Sequence, residues 1–551
     1  MNNTRIVDEG LSNSEIQKII DNAKVNNVIL FKGKSYTDIN LVISKRLTLL
    51  SNVNTVLKSS SGSPVIQIKG NSTSQTSVKG FDIRGNGDGI KISDANYVKI
   101  LNNDISANRG VVATGTKYLN ITHNLLAKNS DEGIVIADAN STYIFNNKIT
   151  NNGGNGILIS KSDKVYIHEN TISNNQKNGI YTTDAANGVE YGGGPENLYI
   201  TKNVINKNTQ SGIYIKKAGD NINIKGNTIE YNSAYGISMT KIGNNVIQSN
   251  VISHSIVGIK FNDEYLKPKD QEISYNVIHH TGHVAVEARD TYYYDFGEPL
   301  KIGENWYTDD VLMCPKVQSK NIKFSVTQIG PNTFQATFYD SKGNIASLLP
   351  DRELTYQTNN GEVISMTLRG GTGVFTVDAA NGDKIKATVD SSHRDNTFDG
   401  NTKTSTTPTN GVTPVYDYPS IDYPSDGSGG NGQGNGNGNG DGNGASNGEN
   451  SQNTGNSTHS QKSDPSNSAN NQVNDVSQNY QSEAINAAES ASQSVGETGG
   501  AGSQSKSVVK QIVIDEDEFY RVTGISAIIL LIILTIGFYY RDDIREMNSK
   551  R

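Results

Sequence analysis

At 551 residues the chain is long enough for three or four domains of ~150 residues each, which excludes a peptide or mini-protein. Its 49 basic and 56 acidic residues leave a net charge of −7 with no basic tract, which argues against a nucleic-acid partner. The lone Cys314 excludes an intramolecular disulfide and a multi-cysteine metal site, so packing and backbone hydrogen bonds must hold the fold.

Residues 1–27 read as an N-terminal cap. Ser12-x-x-Glu15 is a capping box, and Ile16, Ile19 and Ile20 share one helical face, so a short amphipathic helix is expected to cover the first rung of the adjoining repeat. From 28 to 312 that internal repeat dominates. A glycine followed by an aliphatic residue recurs at Gly89, Gly110, Gly133, Gly156, Gly179, Gly212, Gly236 and Gly258, mostly at intervals of 21 to 24 residues. Each copy continues as I-x-x-N-x-I, or close to it, around Asn103, Asn124, Asn147, Asn170, Asn203, Asn227, Asn250, Asn276 and Asn305.

Within NGILISKSDKVYIHENTISNN the apolar residues alternate in three bursts, Ile157/Ile159, Val165/Ile167 and Ile172, which predicts three short strands per copy. A unit this small cannot bury its apolar side alone. Copies must stack into a parallel β-helix of about eleven rungs, ~50 Å long at ~4.8 Å per rung and right-handed by the usual crossover preference. The aligned asparagines are expected to bond from rung to rung as a structural ladder, and a second set at Asn108, Asn129, Asn152, Asn175, Asn208 and Asn232 to do the same.

After Trp306 the period stops. Residues 316–392 carry short alternating strands separated by SKGN, NNG, RGG and NGD turns, as in a small β-sandwich. Residues 395–510 are Thr/Pro-rich, then Gly/Asn-rich, then Ser-rich, the composition of a disordered spacer. Val522–Tyr540 is an uncharged run of 19 residues, long enough at ~1.5 Å per residue for one transmembrane helix. Arg541, Arg545, Lys550 and Arg551 follow it, so 541–551 is expected to be a cytoplasmic tail with the bulk outside the cell. The start, MNNTRIVDEG, shows no apolar signal region. Either the gene product begins upstream or the protein is tail-anchored with its bulk in the cytosol; the spacer favours the first.

The GI-x-I…I-x-x-N-x-I rungs resemble the right-handed β-helix repeats of pectate lyases and related polysaccharide-active proteins, over about residues 28–305. GENWYTDD, LPDRELTYQTNNGEV and GDKIKATVD look like bacterial immunoglobulin-like domains of surface adhesins. The order of parts is similar to the adhesin-like cell-surface proteins of methanogenic archaea. That resemblance implies attachment to glycans or neighbouring cells.

Outward positions of the first strand read Lys91, Val112, Val135, Leu158, Tyr181, Tyr214, Ser238 and Lys260, with no carboxylate pair for acid–base or calcium chemistry. Those of the second strand include Tyr143, Tyr166 and Tyr199 in consecutive rungs, expected as a stacked, exposed ladder that either only stabilises the rod or presents a flat face to a sugar chain. Insertions in three later rungs are expected to protrude as a wall bearing Asp184, Glu190, Tyr191, Tyr265, Tyr292 and Tyr293 among others. His254 and His280 share an offset near His279 and His283, and read as polar turn residues rather than metal ligands. No cofactor, metal or catalytic group is implied. The expectation is a membrane-anchored, non-enzymatic adhesin that binds polysaccharide or another cell's surface; the alternatives are a wall-anchored polysaccharide lyase or glycoside hydrolase, and a structural surface-layer component.

Overall fold

The computed structural model describes residues 3–399 apart from 187–188, 191–192, 217–220, 241–244, 264–271, 291–299, 309, 316, 359–360 and 362. The chain divides into two compact units, 1–425 and 426–551, and the described residues all belong to the first. The spacer from 400 onward, the apolar run Val522–Tyr540 and the tail lie outside the described residues. Among the described residues no helix is long and apolar enough to cross a membrane.

One rung shows how the repeat folds. Ile157–Ser160, Asp163–His168 and Thr171–Ser173 are its three strands. Their alternating Ile157, Ile159, Val165, Ile167 and Ile172 are fully buried inside the coil, as period-two patterning requires. Each strand pairs in parallel with its equivalents in the rungs on either side, Ile157 standing between Ile134 and Ile180. The first strands build an 11-stranded sheet, and the second and third strands stack into two columns joined in a 23-stranded sheet. The chain is therefore an all-β parallel solenoid with a continuous aliphatic core.

The solenoid reaches further at both ends than the repeat alone indicates. Thr4–Val7 already pairs in parallel with Val28–Phe31, so the first rung starts inside the segment read as a cap. Val317–Asn321 pairs with Leu300–Tyr307, past residue 312. Helix Asn13–Asn22 carries both halves of its capping box, and Ile16 and Ile20 are buried against the first rungs.

Two columns of residues explain the repeat. A Cβ on Gly156 would sit 2.6 Å from both the Gly179 carbonyl oxygen and Ile172 Cγ2, so the corner admits only glycine. The asparagine ladder runs unbroken. The Asn170 Nδ2 donates to Asn203 Oδ1 at 3.0 Å and to the Ile144 carbonyl at 2.7 Å, while its Oδ1 accepts from the Asn147 backbone N–H at 2.8 Å and from Asn147 Nδ2 at 3.0 Å. In the second ladder Asn129, Asn152, Asn175, Asn208 and Asn232 bond in the same way, but Asn108 does not belong to it. Its turn lacks the left-handed residue that Lys128, Asn151 and Asn174 supply in the following rungs, so Ala107 takes the ladder position and its N–H bonds Asn129 Oδ1 at 2.7 Å.

Residues 323–397 form two antiparallel sheets, one of Lys323–Gly330, Thr333–Tyr339 and Thr372–Thr376, the other of Val363–Leu368, Arg352–Gln357, Lys384–Val389 and Ser392–Thr397. The last strand takes in residues 395–397 of the segment read as spacer, and Phe398 is buried with the sheets, so the folded part extends past both 392 and 395. Trp306, Val251 and Val277 of the solenoid share one core with Phe324, Phe338 and Leu354 of the sheets.

Candidate functional site

The corner between first and second strands opens as a cleft of about 510 Å³ across five consecutive rungs. Its floor is a column at the fifth residue after each repeat glycine: Asp94, Gly115, Asp138 and Lys161. All four lie in the left-handed region, with φ from 35° to 64°, which turns the chain sharply and presents the side chains of Asp94, Asp138 and Lys161 at the corner. Two residues on, Lys117, Asn140, Asp163 and Glu196 form one wall. Thr116 borders the cleft, but its hydroxyl is buried without a hydrogen-bond partner, in the column that Ala95 and Ala139 fill in the core.

Charge is held in place there. The Asp163 carboxylate accepts from Asn140 Nδ2 at 2.9 Å and from Asn197 Nδ2 at 2.7 Å, one amide on each oxygen. Lys161 pairs with Asp138 at 3.4 Å, both half exposed. The insertion in the rung of Gly179 closes one end: its returning chain puts Gly194 and Glu196 in the lining, and the Lys161 N–H donates to the Gly193 carbonyl at 3.0 Å.

Tyr143, Tyr166 and Tyr199 stand three residues beyond Asn140, Asp163 and Glu196, in register on the same strands. Their rings stack at centroid separations of 5.1 and 4.9 Å with interplanar angles of 5° and 6°. The ladder is less exposed than the alternation suggests. Tyr143 is only 9% exposed because Phe145 packs edge-on against it, and Tyr166 and Tyr199 are half-buried. Burial first, then the neighbouring Tyr199 and Tyr143 hydroxyls and Asp163, push the Tyr166 phenol above its ordinary value.

The insertion does not stand out as a wall. Ala185–Ala186 and Val189–Glu190 form an antiparallel hairpin whose first strand lies against Ile134–Ala137 and Ile157–Ser160. On that outer face Val112, Val135 and Ala137 are buried with Leu158 packed on them, so the hairpin folds back over an apolar patch. Asp184 is half-buried at its start and accepts from the Thr183 hydroxyl at 3.3 Å. Glu190 lies in the second strand by its backbone; Tyr191, Tyr265, Tyr292 and Tyr293 lie outside the described residues. On the outward face of the first strands one carboxylate occurs a rung beyond Lys260: Glu287, 3.8 Å from the Lys260 ammonium.

Two other titratable groups stand out. Glu132, 6% exposed and bonded by Asn155 Nδ2 at 3.3 Å, has its carboxyl pushed up to about 7 by burial and by the adjacent Asp131. His279, near the sheet unit, is held down to about 4 by burial despite Asp390 at 3.9 Å. His254 and His280 stack at 4.8 Å in the shared turn position. Among the described residues no group of three or more His, Cys, Asp or Glu is placed to hold a metal ion.

The sequence reading missed the cleft and two further tyrosines. Tyr97 and Tyr118 stack at 4.6 Å and 8° in the two rungs before Tyr143. The signal was present: the floor residues share one offset from the repeat glycines.

The family described as a right handed beta helix region matches residues 64–194 and 163–311, which gives the solenoid its hand. No curated protein matches the chain. Solved structures to which it is similar include the periplasmic alginate epimerase AlgG, at 15% identity over 57% of this chain and 83% of that one, TM-score 0.32. An alginate lyase from Paenibacillus sp. str. FPU-7 is 13% identical over 57% and 99%, TM-score 0.30. A polygalacturonase from Erwinia carotovora ssp. carotovora is 13% identical over 57% and 96%, TM-score 0.35.

Proposed function

We propose that this chain is a surface adhesin whose solenoid binds a polysaccharide along the cleft, without cleaving it. The observation that carries the reading is the stacked Tyr143, Tyr166 and Tyr199 ladder in register with a cleft wall of carboxylate, amide and ammonium groups. Rings stacked in this way cover one another's faces and turn their edges and hydroxyls outward, where they and the fixed polar groups of the wall meet sugar hydroxyls. In this reading the two-sheet unit is an immunoglobulin-like stalk, the Gly/Asn/Ser spacer carries the head away from the membrane, and Val522–Tyr540 anchors it with the bulk outside the cell.

A second reading, a polysaccharide lyase or hydrolase, draws on one observation: Asp163 and Glu196 stand in register on adjacent rungs. Strand neighbours lie ~4.8 Å apart, near the ~5–5.5 Å between the carboxyls of retaining glycosidases. Against it, both Asp163 oxygens are occupied by amide donors.

The test is retention of the full chain on immobilised polysaccharides, with each supernatant checked for released oligosaccharide. Tyr166→Ala/Tyr199→Ala is the variant of choice, because Tyr143 is too buried to remove without cost. Retention reduced about tenfold in the variant, with no product, is the expected result for two lost hydroxyl contacts at ~0.5–1.5 kcal/mol each. Product released by wild type, and lost in Glu196→Gln, would replace the adhesin with the enzyme.

A further inference from the structure

Five rungs form the cleft, and each of them carries one tyrosine within three residues of a cleft-lining side chain: Tyr97 after Asp94, Tyr118 after Lys117, Tyr143 after Asn140, Tyr166 after Asp163 and Tyr199 after Glu196. Tyr97 and Tyr118 are not part of the Tyr143 column, whose equivalents in their rungs are Lys99 and Asn120; they sit two residues earlier, at the bulge. There the backbone is left-handed, with φ of 58° and 56°. In later rungs the same position is Ser141, Lys164, Asn197 and Asn221, of which the serine and the two asparagines are residues that turns commonly use. Other turns of this chain also hold a left-handed aromatic, with Tyr231 stacked on His254, so what sets Tyr97 and Tyr118 apart is their place, stacked in adjacent rungs within three residues of cleft-lining side chains.

Rungs repeat at ~4.8 Å, so the first and last tyrosine stand ~19 Å apart along the solenoid. One rung is close to the length of one sugar unit in an extended glycan, where both bonds to each ring are equatorial. A chain linked through one axial bond coils and loses that match after a unit or two.

Resting on the glycan-binding reading of the cleft, we propose that it is an array of five subsites, one sugar per rung, that takes extended, diequatorially linked chains running parallel to the solenoid axis, with Tyr97 and Tyr118 forming its first two subsites.

The test uses the full chain and purified oligosaccharides of two to six units, cello-oligosaccharides as the extended series and malto-oligosaccharides as the coiled one, with affinities from calorimetry. Wild type should bind the extended series more tightly with each unit up to five and then level off, with maltohexaose at least tenfold weaker than cellohexaose. Tyr97→Asn/Tyr118→Asn, which places in both turns a residue suited to a left-handed backbone, should keep its circular dichroism and level off at three units. A wild-type plateau at two or three units, an unchanged plateau in the variant, or maltohexaose binding as well as cellohexaose overturns the array and leaves the glycan-binding reading standing. Binding of neither series, with retention on polysaccharide columns still sensitive to Tyr166→Ala/Tyr199→Ala, also overturns the array alone. Binding of neither series, with no such sensitivity, overturns both.

Discussion

Each ladder asparagine uses its whole amide. Asn170 gives two protons and accepts two, so truncating it leaves the Asn147 backbone N–H, the Asn147 amide and the Asn203 oxygen buried with a partner removed. Asn170→Ala should therefore cost ~2–4 kcal/mol, read from the shift of the urea midpoint, whereas Lys148→Ala, at an exposed strand position, should fall within ~0.5 kcal/mol. Glu132 gives a pH test with a defined sign. Its carboxyl titrates near 7 in the fold and near 4.5 unfolded, so its contribution is fully present below 4.5 and is lost as pH rises to 7. His279 acts oppositely over much of the same range: its ring titrates near 4 folded and 6.5 unfolded, so stability is lost as pH falls below 6.5. Only the difference between variants isolates one group. From pH 5 to 8 Glu132→Gln should gain stability relative to wild type, measured by urea unfolding at each pH; a constant difference would mean the carboxyl is ionised throughout. The ladder itself was legible because an asparagine that recurs with aliphatic flanks has one packing explanation. Glu132 was not, because its column changes from rung to rung, reading Asp88, Arg109, Asn155 and Asn178 elsewhere, and what a buried carboxyl there meets depends on how those neighbours stack.

At the scale of elements, alternating aliphatics identified three strands per rung because a side chain in a strand has only two faces to choose between. Turns were harder to read. Whether Asn108 joins a ladder depends on one left-handed residue, and whether a ten-residue insertion protrudes or folds back depends on the apolar patch it can cover. Val112 and Val135 announce such a patch, since they are outward-facing aliphatics where neighbouring rungs carry Lys91 and Tyr181. Replacing 185–194 by a turn as short as that of the rung before should expose them. The expected loss is ~1–3 kcal/mol, at ~25 cal/mol per Å² of apolar surface, with a rise in binding of a hydrophobic dye. Equal dye binding in variant and wild type would show that the hairpin does not shield the patch.

A solenoid's middle rungs protect one another, so its weak places are its two ends. At the start, helix Asn13–Asn22 seats Ile16 and Ile20 on the core. At the far end the two-sheet unit does the same through Trp306, 2% exposed, whose ring meets Phe338 edge-on at 5.0 Å and Phe324 at 6.1 Å. Its indole N–H donates to Asp390 at 3.4 Å, and Asp390 is also held by Arg352; nearby, the Ser249 hydroxyl donates to the Leu348 carbonyl at 2.7 Å. Because the tryptophan belongs to a solenoid strand and its neighbours to the sheets, the two parts share a core rather than a surface contact. Their unfolding should then be coupled, and calorimetry of the full chain should show a single main transition. Trp306→Ala removes the shared ring at a cost of ~3–5 kcal/mol and leaves Asp390 paired with Arg352, so each part keeps its own internal packing. The main transition should split in two, with the sheet unit melting first because seven short strands bury less than the stacked rungs do. A single transition that merely moves to lower temperature would mean that the remaining contacts, Ser249 to Leu348 and Val251 and Val277 to the sheet core, are enough to keep the two parts unfolding as one.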